Sequence, residues 1–227
     1  NPTGYSLSQQ EWDEVTDYLN ECGKKVPVVL LNDIAYIDYS YRGKAARDYI
    51  KTFDRISEHV FVVIAFSISK SMTSYGMRCG AAILMAQKEE SVREVEIVFE
   101  KAARAIWSNV NNAAMENFVT VVTDNKAAYE AEKDEYVDLL KERSDIFTSE
   151  ADACGLEYYP YKEGFFVTVK IEDNNVRNAY HEALMKEHIY TVMVNKGIRV
   201  AVCSLPVEKC KGLAARMKKI LDEVTAA

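Results

Sequence analysis

The sequence predicts an α/β protein: part of a mostly parallel sheet with helices on both faces, then a long connecting helix, then a small α+β domain. Three observations carry this. Residues 26–31 and 60–66 are apolar at almost every position, the pattern of parallel strands covered on both faces, and helical patterns alternate with them. A charged stretch from Asp124–Asn125 to about Ala153 reads as one long helix stopped by Gly155. Beyond it, residues 164–171 alternate in a way that suits an antiparallel strand with one solvated face.

The elements follow in order. Ser8 is placed to N-cap a helix over residues 8–21, with Glu11 at the capping-box position and Trp12, Val15, Tyr18 and Leu19 at helical spacing; Gly23 ends it. The first strand precedes a helix over 44–56, with Ala45, Tyr49 and Phe53 on one face, and the second strand precedes a third over 81–84. Helices are expected over 91–107 and 113–122. The long helix carries Tyr129, Tyr136, Leu139, Leu140 and Ile146 on one stripe. After the strand over 164–171 come a helix over 174–187, short strands near 190–194 and 198–202, and a helix from Pro206 to about Val224 that faces Leu213, Met217, Ile220 and Leu221 inward. The expected division is a larger domain over 1–136 and a small one over 137–227.

Composition narrows the function classes. The chain has 227 residues, 48% hydrophobic and 28% charged, as in ordinary globular proteins. A net charge of -7 with no basic block argues against nucleic acid as a partner. No apolar run approaches the ~20 residues that span a bilayer, and no charged-then-apolar leader points to export, so no membrane association is expected. The five cysteines are scattered without a Cys-x-x-Cys pair and there are three histidines, so no metal site is expected and the thiols suit a reducing, cytoplasmic setting.

The residues suited to chemistry gather at strand ends, where open α/β sheets place ligands. Ser67-Ile68-Ser69-Lys70 follows the second apolar run, and Arg78 stands eight residues after Lys70 in Gly76-Met77-Arg78-Cys79-Gly80. A lysine at a buried edge is costly without a partner or a task, although a solvated lysine after a strand has the same pattern. Hydroxyls beside an arginine suit a phosphate, since the guanidinium fork donates in pairs; an ion pair to an acid would equally use Arg78. Asp33 and Tyr36 stand three apart at the end of the first strand, as a turn would also place them. Arg199 interrupts the apolar run Ile198–Val202 as either an edge residue or an anion binder, and Arg104 precedes Trp107-Ser108-Asn109 on what is also an ordinary helix surface. The histidines, Tyr158–Tyr161 and the acidic run 130–142 read as packing or solvated surface.

Taken together and in order, Asn1-Pro2-Thr3-Gly4, Asp33-x-x-Tyr36 and Ser67-x-Ser69-Lys70 with Arg78 resemble the class I/II aminotransferase family of fold type I pyridoxal-phosphate enzymes. The Arg104-x-x-Trp107-Ser108-Asn109 run is similar to its aspartate/aromatic branch, although Val110-Asn111 replaces the usual Pro-Pro. The resemblance covers essentially the whole chain, and the chain covers the C-terminal half to three-fifths of the family.

The resemblance implies the large-domain sheet of the pyridoxal-phosphate transferases and ping-pong amino transfer between an amino acid and a 2-oxo acid. Lys70 is then the Schiff-base lysine and the acid/base that moves the proton between the substrate Cα and the cofactor. Asp33 faces the pyridine nitrogen, Tyr36 and Asn1 donate to the phenolic oxygen, and Ser67, Ser69 and Arg78 hold the phosphate. Arg199 grips the substrate α-carboxylate, and Arg104 reaches a distal carboxylate across a homodimer. Expected substrates are aspartate, glutamate, 2-oxoglutarate or aromatic amino acids. A cofactor-sensing domain of a transcription regulator, and a lyase or decarboxylase, use the same scaffold. The portion before Asn1 would supply a glycine-rich loop, a ring-stacking aromatic and further strands, so the chain alone is expected to retain cofactor poorly and turn over little.

Overall fold

The computed structural model describes residues 1–226, which form two compact units: residues 7–131, and residues 1–6 together with 132–226. Each is built around its own three-stranded sheet.

In the first unit, helix α1 (Gln9–Gly23) begins with the anticipated capping box. The Ser8 Oγ accepts from the Glu11 N–H at 3.2 Å, and the Glu11 carboxylate accepts from the Ser8 N–H at 2.7 Å. Strand β1 (Val28–Asp33) runs parallel to β2 (Val60–Ser67), which in turn pairs antiparallel with β3 (Gly80–Met85) in the order β1-β2-β3. Of the two pairings among these three strands, one is parallel and one antiparallel. Between Ser67 and Gly80 lie only the single turn of α2 (Ile68–Ser71) and a tight turn at Tyr75–Met77, with no crossover helix to return the chain in parallel.

One face of this sheet is a core. Phe53, Ile56, Val60, Val62 and Ile64 are buried, with Trp12, Leu19, Tyr49 and Ile50 packed over them. Trp12 stacks on Tyr49 at 4.5 Å between centroids, and the Tyr49 hydroxyl accepts from the buried Asn32 side chain at 2.8 Å. The opposite face is open at β1, where Val29 and Leu31 are 68% and 65% exposed, so the expected cover on both faces is absent. Residues 43–55 wind as tight 3-10 turns rather than an α-helix. Buried Ala46, half-buried Tyr49 and buried Thr52 follow the three-residue period of that helix, and Ala45 faces solvent. Helices α3 (Glu89–Ile106) and α4 (Asn112–Val122) complete the unit.

Helix α5 (Lys126–Cys154) leads into the second unit. Its buried stripe there is Leu140, Ser144, Phe147 and Ala151, at i, i+4, i+7 and i+11, whereas Tyr136 is 56% exposed. The second sheet has the order β4-β6-β5, all antiparallel, from β4 (Phe166–Lys170), β5 (Val192–Val194) and β6 (Gly197–Ala201). Val167, Thr168 and Val169 are all buried, so β4 is covered on both faces instead of one. Helix α6 (Asn174–Lys186) packs on it and α8 (Leu213–Ala226) packs on α6, where the buried Tyr180 hydroxyl donates to the Met217 carbonyl at 2.9 Å. The expected single C-terminal helix is two, since Gly212 at φ +76° separates the short α7 (Val207–Cys210) from α8.

Candidate functional site

In the first unit, the strand ends bring most of the candidate residues onto one edge of the sheet. Ser67 ends β2 and caps α2, its Oγ accepting from the Ser69 N–H at 3.3 Å. The Ser69 Oγ in turn accepts from Arg78 Nη1 at 3.3 Å, and the same nitrogen donates to the Tyr75 carbonyl at 2.6 Å. Ser67, Ser69 and Arg78 thus form one connected chain of polar groups. Arg78 stands at φ +52°, a left-handed conformation that costs a non-glycine residue on the order of 1 kcal/mol. Among the described residues no carboxylate lies within ion-pairing distance of its guanidinium. The ion-pair alternative for Arg78 therefore has no partner in this unit.

Lys70, half-buried on α2, points its amine between two aromatic rings. The Nζ lies 5.9 Å from the Tyr36 ring centroid and 5.3 Å from that of Tyr75. It too has no carboxylate partner among the described residues. Asp33, at the exposed end of β1, accepts the Ala35 N–H on its Oδ1 at 2.9 Å and so forms the turn that leads to Tyr36. An amine, a guanidinium with no acid counter-ion and two hydroxyls are the donor set that a phosphorylated carbonyl compound requires, so the residues present fit such a group.

The second unit holds Asn1 and Arg199 together. Residues 1–6 are sewn onto β4 and the loop before it. Thr168 Oγ1 donates to the Pro2 carbonyl at 2.6 Å, the N–H groups of Lys162 and Glu163 donate to the Gly4 carbonyl at 2.8 and 3.1 Å, and Lys162 Nζ donates to the Ser6 carbonyl at 2.9 Å. Gly4 is required: φ is +74°, and a Cβ there would stand 2.3 Å from the Tyr161 ring and 2.7 Å from the Phe166 carbonyl. This brings Asn1 Oδ1 within 3.0 Å of Arg199 Nη1. Arg199 projects from the central strand β6, and its guanidinium carbon lies 4.3 Å over the Phe166 ring. Its Nε is buried with no hydrogen-bond partner among the described residues.

Arg104 is not brought to either group. It is exposed near the end of α3 and donates to the Ser108 hydroxyl at 2.7 Å within its own Arg-x-x-Trp-Ser-Asn run. Sequence reasoning passed over Tyr75, whose ring faces Lys70, although its position between Lys70 and Arg78 was a usable signal. It also passed over Tyr39 and Tyr129, which touch the backbone of the Lys70 turn and carried no motif.

Residues 1–217 match the family model described as aminotransferase class I and II. Over 98% of its length the chain is similar to the crystal structure of an aminotransferase from Anaerococcus prevotii DSM 20548, with a TM-score of 0.92 and 36% identity, spanning 54% of that chain. It is 23% identical over 233 residues to the mitochondrial aspartate aminotransferase P2 of Lupinus angustifolius, covering 94% of this chain and 46% of that protein. It also shares its fold, at a TM-score of 0.73 and 22% identity, with an aromatic-amino-acid aminotransferase from Burkholderia pseudomallei covalently bound to pyridoxal phosphate; that match covers 97% of this chain and 54% of the other. The chain therefore spans about half the length of the relatives it matches.

Proposed function

The chain belongs to the aminotransferase class I and II family, and we propose that it carries the C-terminal part of a pyridoxal-phosphate aminotransferase of the aspartate/aromatic branch. In this reading the whole protein moves an amino group between an amino acid, such as aspartate or an aromatic one, and a 2-oxo acid. The observation that carries it is Lys70: an amine without a carboxylate partner among the described residues, facing Tyr36 and Tyr75, next to the linked donors Ser67, Ser69 and Arg78.

Pyridoxal phosphate, when bound, supplies an aldehyde carbon for covalent attachment and a pyridine ring that takes up carbanion charge. Everything else falls to the chain. Lys70 would provide the amine for attachment and would hold and move the proton at the substrate Cα. Arg78 would meet the phosphate dianion with its guanidinium, and the Ser67 and Ser69 hydroxyls would complete that side. Asp33 would hold the proton on the pyridine nitrogen, while Tyr36 and, by its motif, Asn1 would donate to the phenolic oxygen.

Arg199 is proposed to grip the substrate α-carboxylate. The side-chain oxygen of Asn1 on Nη1 and the Phe166 ring under the guanidinium support that role, since together they fix the plane of the fork. Arg104 is proposed to reach a distal carboxylate in a homodimer of the full-length protein. The lack of any buried residue along the 18 residues of α3, where Val98 and Ile106 are 61% and 70% exposed, with Trp107 just past its end at 60%, supports a covering surface on that helix. Five cysteines free of disulfides support a reducing compartment, here the cytoplasm, and among the described residues no helix is long and apolar enough to cross a membrane.

The test is a near-ultraviolet/visible spectrum of the full-length protein with pyridoxal phosphate, before and after adding aspartate. An absorption band that bleaches on aspartate is the expected result. A band that forms but ignores every amino acid would move the reading to cofactor sensing. No band at all would remove it.

A further inference from the structure

Helix α2 is a single turn, too short to satisfy its own carbonyls. Past Met72 the chain leaves it through Thr73, which stands at φ 50° and donates its N–H to the Lys70 carbonyl at 3.1 Å. The Met72 and Ser74 N–H groups donate to the Ile68 carbonyl, and two further donors come from tyrosines distant in sequence. The Tyr39 hydroxyl donates to the Lys70 main-chain carbonyl at 2.9 Å, and the Tyr129 hydroxyl donates to the Ser71 main-chain carbonyl at 2.8 Å.

The two phenols are themselves braced. Tyr39 ends the short 3-10 turn Ile37–Tyr39 and is 7% exposed. Its neighbour Asp38 pairs with Arg47, and Lys44 pairs with Glu130, one residue beyond Tyr129, at 3.3 Å. Tyr129 titrates well above the ordinary phenol range, first because it is buried and next because Asp38 lies near it, so it remains a protonated donor. A hydroxyl that can rotate would usually satisfy any neighbour. Here both are aimed at consecutive carbonyls of the one turn that bears the reactive amine.

We propose that Tyr39 and Tyr129 are positioning residues that clamp the main chain of Lys70 and Ser71, fixing the direction from which the Lys70 amine reaches its target. The inference rests on the reading of Lys70 as the reactive amine. That amine has two tasks, attachment and proton transfer, and moves between them on a flexible four-carbon stem; the swing is reproducible only if its root is fixed. Neither phenol touches the amine itself, so their effect is on its placement and not on the chemistry directly.

The experiment uses the full-length protein with pyridoxal phosphate, its Y39F and Y129F variants, the double variant and K70A. Adducts are reduced with borohydride, located by peptide mass, and their yield at Lys70 is followed against pH alongside kcat and KM. Each single variant is expected to shift the pH midpoint of trapping by about half a unit and to lower kcat about 5- to 10-fold, with KM within about twofold. The double variant is expected to lose less than the product of the two, as a shared clamp requires. Y129F, at a less buried position, keeps the test usable if Y39F does not fold. Variants that fold and trap Lys70 with the parent's pH profile and kcat overturn the clamp while leaving Lys70 in its role. A parent protein that is not trapped at Lys70, or is trapped equally in K70A, overturns the reading of Lys70 and the clamp with it.

Discussion

Arg199 Nη1 donates to the Asn1 side-chain oxygen across 3.0 Å, joining residues 198 positions apart in sequence. One nitrogen of the fork is thereby held, and the ring of Phe166 lies under the guanidinium. Such a cation is set for a planar anion approaching from one side. Replacing it by lysine keeps the charge and loses the fork. R199K is expected to lower kcat/KM for every amino acid and 2-oxo acid about 100-fold, equivalent to about 2.7 kcal/mol, without weakening adduct formation at Lys70. Steady-state kinetics beside cofactor titration separates the two effects. Equal losses in both would contradict a substrate-specific role.

The left-handed backbone of Arg78 gives a second contrast. R78G relieves the strain and should leave thermal stability unchanged or raised by up to about 1 kcal/mol, while pyridoxal phosphate binds about 100-fold more weakly. R78A loses the same affinity without the relief. Thermal unfolding of the cofactor-free protein and an absorbance titration measure both quantities. Undiminished cofactor affinity in R78G would remove Arg78 from the phosphate side.

Gly4 carries the link between sequence and site in the second unit. A Cβ at φ +74° would meet the Tyr161 ring and the Phe166 carbonyl well inside contact distance. G4A is expected to cost about 1–3 kcal/mol and to displace residues 1–6, so substrate affinity falls while the first unit is unaltered. Hydrogen exchange of the Lys162 and Glu163 amides, which donate to the Gly4 carbonyl, reports the displacement directly.

The buried Tyr180 phenol sets an alkaline limit on stability. Burial raises its pKa above the ordinary 10.0, with Cys154 and Asp222 adding smaller effects. Below pH 10 the phenol is neutral in both folded and unfolded chains; above it the unfolded chain ionises first, so stability is full below that value and falls as pH rises. Y180F removes this contribution, and its unfolding free energy is expected to fall less steeply above pH 10 than the parent's. Denaturant titrations at neutral and alkaline pH make the comparison; parallel curves would contradict it.

Arg104 tests the dicarboxylate branch. With its side chain bonded only to Ser108, R104A leaves both folded units intact and is expected to lower kcat/KM for aspartate about 30- to 100-fold while changing that for phenylalanine less than about threefold. Equal effects on the two substrates would assign Arg104 to helix structure alone.

Much of this was legible in the chain because local chemistry decided it. The Ser8–Glu11 capping box, the long α5 and the strand-end placement of Ser67 and Asp33 follow from residue type and spacing. The direction of β3 was not, since an apolar run carries no sign of which way it pairs; the short link through α2 and Tyr75–Met77 decides it. Val29 and Leu31 read as covered from both sides, yet exposure is a property of what packs on a face and not of the residues in the strand. Tyr39 and Tyr129 were invisible for a related reason: a hydroxyl that seeks a distant carbonyl leaves no periodicity behind. The motif residues carried their own signal, whereas the residues that brace them did not.

The most direct test of the account is where pyridoxal phosphate attaches. The protein is incubated with the cofactor, reduced with borohydride, digested, and every lysine-bearing peptide is measured by mass. One dominant adduct on the peptide containing Lys70, lost in K70A and suppressed by excess aspartate, is the result expected from an amine that stands between Tyr36 and Tyr75 without a carboxylate partner among the described residues. Label spread over many lysines, with Lys70 no more reactive than the rest, would contradict the central claim.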